Sequence, residues 1–135
     1  MSSAIWMRSE PNPRQGGFTL IELLVVMAII GTLLAIAVPR YFHTLERARE
    51  TVLRHDLVTL REAIDKHYAD FNQYPDTLAA LVERRYVRSI PVDPFTRLAD
   101  SWTLIPSDDP DHAGIRDIHS GSPAMASDGT ALSTW

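Results

Sequence analysis

An α+β fold is predicted by three features of this 135-residue chain. Residues 18–38 are apolar on every side of a helix. Over residues 45–71, apolar side chains recur at steps of three to five, with charges filling the gaps. Further on, residues 101–105 and 114–119 alternate in the manner of short strands. Together these give a long N-terminal helix, transmembrane in its first part and amphipathic in its second. That helix packs on a small head with a short helix and a small antiparallel β-sheet.

Composition narrows the function. Thirteen Lys and Arg face seventeen Asp and Glu, a net charge of −4, which argues against a nucleic-acid binder. The chain has no cysteine, so a disulfide staple and thiolate chemistry are excluded. Much of the hydrophobic content lies in residues 18–38. The head that remains is small and needs support from the long helix, a bound ion or neighbours in an assembly.

In chain order, residues 1–17 are polar and broken by Pro11, Pro13 and the pair Gly16-Gly17. Arg8 and Arg14 precede the apolar run, but Val38-Pro39-Arg40 after it is a poor small-residue signal cleavage site. The apolar run itself is about 21 residues, the length needed to span a bilayer. Glu22 is its only charge, and Gly31-Thr32 forms a small notch for a second helix. Pro39 is expected to kink or locally melt the helix. Helical periodicity then resumes through Leu45, Ala48, Val52, Leu57, Leu60, Ile64, Tyr68 and Phe71, and Asn72-Gln73-Tyr74-Pro75 ends it. The whole helix is on the order of 75–80 Å at helical rise. Asp76 or Thr77 caps a short second helix whose inward face is Leu78, Leu81 and Val82. Residues 86–95 are extended and punctuated by proline. Residues 106–112 form an acidic turn, and residues 120–130 have loop composition.

The segment Gly17-Phe18-Thr19-Leu20-Ile21-Glu22, followed by a membrane-length helix that meets Pro39, resembles the start of type IV pilins and type II secretion pseudopilins. Tyr74-Pro75, Tyr86-Val87, the stretch Ile90-Pro91-Val92-Asp93-Pro94-Phe95, Asp128-Gly129 and Trp135 are similar to the major, G-type pseudopilin. Phe95 stands where Trp is common, and the interval from Asp117 to Asp128 is longer than usual for that family. The resemblance implies three segments: a leader, residues 1–17; a transmembrane and filament-core helix, residues 18–38; and a pilin-like periplasmic head, residues 39–135. It implies cleavage after Gly17 by prepilin peptidase and N-methylation of Phe18. Glu22 would pair with the N-terminal amine of a neighbouring subunit, and Pro39 would serve assembly. Calcium would be held by Asp117 and Asp128, with Thr130 as a further oxygen. The implied partners are copies of the same chain in a helical filament, minor pseudopilins and an inner-membrane assembly platform.

The residues taken alone support part of this. A carboxylate inside a bilayer-length helix costs about 2.5–3.5 kcal/mol unless it is hydrated or paired, so Glu22 is expected to await a cation. The oxygens of Asp108, Asp109, Asp111, Asp117 and Asp128 suit a hard cation, but their spacing is not that of an EF-hand. His43, His55, His67, His112 and His119 lack zinc-ligand spacing and read as solvated or capping. Ser120 and Ser122 lack a nucleophile elbow, so the chain is not read as an enzyme. Arginines lie on both sides of the apolar run, which leaves orientation undecided by charge. The expected function is a structural subunit of a secretion pseudopilus or pilus-like filament. The alternatives are a major or minor type IV pilin, or a periplasmic binding or catalytic domain on an uncleaved anchor.

Overall fold

The computed structural model describes residues 17–135. Its elements are α1 (Leu20–Phe71), α2 (Leu78–Glu83), β1 (Thr103–Pro106), β2 (Ile115–His119) and a closing 3-10 turn (Leu132–Thr134). This is the α+β arrangement that the sequence predicts. The chain divides into two compact units between Arg40 and Tyr41. In the first, residues 18–38 are exposed throughout. The helix is long and apolar enough to cross a membrane, with a mean hydropathy of 2.7 in its richest window. Pro39 lies inside α1, and helical structure continues through it rather than melting.

In the second unit, one face of α1 forms the floor of the core. Leu53, Leu57, Leu60, Ala63, Ile64 and His67 are buried there. The steps of four, three, four and three from Leu53 to His67 follow a helical stripe. The stripe is set one residue away from the predicted one at both ends. Leu53 is buried where Val52 is 49% exposed, and His67 is buried beside a half-buried Tyr68. Val52 and Leu53 are both apolar neighbours, and only the covering layer decides between them. His67 is therefore a core residue and not a solvated one. Its Nδ1 lies 2.7 Å from the Gln73 carbonyl, which makes that nitrogen the donor, and its ring packs on Phe71 and Tyr86.

Over this floor lie Leu81 of α2, Trp102, Ile115, Ile118, Ala126 and Leu132. Thr77 is the N-cap of α2, its Oγ1 accepting from Ala80 N at 3.3 Å. The two strands pair antiparallel, Thr103 opposite His119 and Leu104 opposite Ile118, with a register shift between Ile105 and Pro106. That irregularity explains how Ile115 and Ile118, three residues apart, are both buried in a strand whose faces alternate by two. The outer side of β2 is occupied as well: Ile115 N donates to Pro75 O at 2.8 Å, and Arg61 Nη2 donates to Ile118 O at 2.9 Å.

The proline-punctuated segment is a closed loop built around a buried acid. Asp93 is fully buried, its Oδ1 accepting from Phe95 N (2.9 Å) and Thr96 N (3.4 Å) and its Oδ2 from the Ser120 hydroxyl at 2.6 Å. Trp102 Nε1 closes the same loop on Pro91 O at 2.9 Å. Next to Ser120, a Cβ on Gly121 would lie 1.9 Å from Ser101 O, so only glycine fits there. Among the described residues, every buried polar side-chain atom has a partner.

Replacing Asp93 strands these donors, at about 1–3 kcal/mol for each buried group left unpaired. Asp93→Ala is expected to lower the melting temperature of the full chain in detergent well below that of Asp76→Ala, an exposed control. Thermal unfolding followed by circular dichroism checks this.

Candidate functional site

Gly17, Phe18 and Thr19 are exposed and precede the first helical residue. Phe18 is 88% exposed. Thr19 is the helix cap: its carbonyl accepts from Leu23 N at 3.2 Å, and its hydroxyl accepts from Glu22 N at 3.3 Å. Thr19-Leu20-Ile21-Glu22 thus has the capping-box pattern, with Glu22 in the third helical position. The carboxylate stands in the first turn, where the unpaired N–H groups of the helix favour negative charge. Phe18, Ile21, Val25 and Val26 surround Glu22 in a shallow apolar hollow. The sequence singled out Glu22 but not Thr19. The legible signal was the Thr-x-x-Glu spacing.

Further along, no atom lies within 4 Å of a Cβ placed on Gly31. The Thr32 hydroxyl donates to Ala28 O at 2.8 Å, which satisfies it within its own helix. The notch is open and carries no unmet polar group, as a surface facing lipid or another apolar helix requires.

The acids of the head sit in separate places. Asp117 Oδ1 accepts from Arg61 Nε at 2.8 Å and from Ile118 N at 2.8 Å. Asp128 Oδ1 accepts from Thr130 N (2.9 Å) and Thr130 Oγ1 (2.6 Å), and its Oδ2 lies 4.0 Å from Arg54 Nη2. Thr130 Oγ1 in turn accepts from Trp135 Nε1 at 2.8 Å. Asp108 pairs with Arg116, and Asp109 pairs with His112. Among the described residues, no three His, Asp or Glu side chains converge as a metal site. A calcium shell takes about six to eight oxygens around one centre, and the acidic side chains placed here do not form one by themselves. Sequence reasoning missed the residues that do engage the loop, Glu50, Arg54 and Arg61 of α1. On a helix their charges read as gap-filling between apolar positions.

The Asp128 carboxyl is held below the usual range, first by the Thr130 hydroxyl, then by the Thr130 backbone N–H, with Arg54 adding to them. Asp109 is lowered likewise, chiefly by its bond to His112.

A capped, membrane-length apolar helix that runs on into a small α+β head is the architecture of pilin-like proteins. The prokaryotic N-terminal methylation motif matches residues 12–38. The type II secretion system core protein G of Pectobacterium carotovorum subsp. carotovorum is 38% identical over 98 residues, covering 66% of this chain and 63% of that protein. The core protein G of Escherichia coli (strain K12) is 31% identical over 126 residues, covering 82% of this chain and 83% of that protein. The type IV major pilin protein PilA of Myxococcus xanthus is 40% identical over 65 residues, covering 48% of this chain and 30% of that protein. No solved structure gives a significant match. The chain belongs to the type II secretion system core protein G family, the pilin-like major pseudopilins.

For a carboxyl whose folded pKa is lowered, the stabilisation is full above its unfolded value and is lost as pH falls through the folded one. The loop around Asp128 is therefore expected to lose stability as pH falls below the ordinary aspartate range, about 4, and through the lowered folded value, and Asp128→Asn to flatten that decline. Melting temperature against pH for the two proteins measures it.

Proposed function

We propose that this chain is a structural subunit of a type II secretion pseudopilus, built from the inner membrane with its head in the periplasm. The observation that carries the reading is the exposed apolar face of residues 18–38 with Glu22 in its first turn. So large an apolar surface is not stable in water and requires lipid or the helices of other subunits. Secretion is favoured over a pilus because the E. coli core protein G match covers 82% of this chain, against 48% for the pilin.

The chemistry follows from one new charge. Cleavage by prepilin peptidase after Gly17 would expose the amine of Phe18, which is methylated and carries a positive charge near neutral pH. Gly17 supports this step because it is exposed, outside the helix and without a side chain to obstruct a peptidase. In lipid the Glu22 carboxylate has the helix start for partial compensation but no cation. The amine of an adjacent subunit supplies one. That pair closes only when two helices dock in a single axial register, so it selects the register as well as stabilising it. The Gly31-Thr32 notch supports close approach of helices further along. Pro39 remains, in this reading, the point where the lipid-exposed run gives way to the head-bearing part of α1. Minor pseudopilins and an assembly platform complete the system. The role is structural rather than catalytic.

Two measurements test this. Co-expressed with prepilin peptidase, the chain is expected to begin at a methylated Phe18 by mass spectrometry. An unchanged leader would instead favour a domain on a permanent anchor. Glu22→Ala is expected to reach the membrane at wild-type levels yet fail to enter sheared filaments. Wild-type filament yield from that variant would remove the registry role.

A further inference from the structure

The resemblance implies a calcium ion in the C-terminal loop, yet the loop here is already held by the long helix. Two side chains of α1 reach it, and a third holds β2, the strand that leads into it. Glu50 accepts from Ser127 N at 2.5 Å and from the Ser127 hydroxyl at 2.8 Å. Arg54 lies with its guanidinium 4.3 Å above the Trp135 ring and one nitrogen 4.0 Å from Asp128. Arg61 forks between two acceptors, the Asp117 carboxylate at 2.8 Å and the Ile118 carbonyl at 2.9 Å. Arg54 and Arg61 are seven residues apart, two turns along one face, so both cations point to the same side of the helix.

These contacts engage one carboxylate oxygen of each aspartate that an ion would need. Asp117 Oδ1 has two donors already, and the Ile118 carbonyl has one. The Thr130 hydroxyl gives its proton to Asp128 and accepts from Trp135. A divalent cation brought to either aspartate would meet a guanidinium within a few ångströms, where like charges repel strongly. A planar guanidinium also binds a carboxylate and a carbonyl together by directed hydrogen bonds, which suits this fork better than a compact ammonium would.

We propose that the head is calcium-independent: Arg54 at the C-terminal loop and Arg61 on β2, the strand that leads into it, supply from within the chain the positive charge that holds this end of the head, with Glu50 fastening Ser127. The proposal concerns the head alone, and its outcome is separate from whether the chain assembles.

The test uses the full chain in detergent. Melting temperature is compared in millimolar calcium and in chelator for wild type and for Arg61→Met, which keeps an apolar stem and removes the fork. The wild-type value is expected to be the same in both buffers, and Arg61→Met to melt about 4–8 °C lower in both. A higher wild-type melting temperature in calcium would overturn the proposal, as would an Arg61→Met protein as stable as wild type. Equilibrium dialysis of the wild type against radioactive calcium gives a reading that needs no variant. No stoichiometric binding is expected, and one bound equivalent at micromolar calcium would overturn the proposal.

Discussion

The head depends on one buried stripe of α1. A two-stranded sheet and a six-residue helix do not hold together alone in water. Here they close over Leu53, Leu57, Leu60 and Ile64, with Leu81, Trp102, Ile118 and Leu132 on the opposite side. Burying each large side chain contributes about 1.5–3 kcal/mol, and the chain has no cysteine to add a cross-link. The long helix is thus a folding template for the head as well as an anchor. This explains why so much of the remaining structure consists of loops fastened to α1 or to one another through single polar groups, Asp93 with Ser120 and Glu50 with Ser127.

Glu22 joins two levels of the same problem. As a local residue it stands at the third position of a capped helix, where its charge meets the positive end of the backbone. As a member of an apolar face it is a charge short of a partner. The first role lets the helix begin cleanly at Leu20. In the proposed filament, the second would make the lipid-inserted form less favourable than a packed one. A helix of the same length without that acid would be at rest in the membrane.

Much of this was legible in the sequence, for identifiable reasons. The apolar run, the amphipathic helix, the Thr77 cap and both strands follow from periodicity and local chemistry, which need no knowledge of the fold. The family resemblance rested on residues 17–22 and on scattered head residues, and the methylation motif and the secretion relatives bear it out. What was not legible lies where distant segments meet. Val52 and Leu53 are equally apolar, and only the covering sheet selects Leu53. His67 carries a titratable ring that its sequence neighbours do not mark as buried. Asp93 between two prolines reads as a turn acid until Ser120, twenty-seven residues later, closes on it. The fork of Arg61 onto Asp117 spans fifty-six residues. No local pattern encodes that distance.

The sheet has a further consequence, for crowding. A two-stranded ribbon offers two edges, and unpaired strand edges invite other chains to add themselves. In this head β2 is capped by the Pro75 carbonyl and by Arg61. β1 is only four residues long and ends in Pro106 beside a break in register. In the proposed filament, many copies packed at a membrane would therefore find little open ladder to extend. Their order would then fall to the helices, and runaway strand addition is held off by a proline, a carbonyl and one guanidinium.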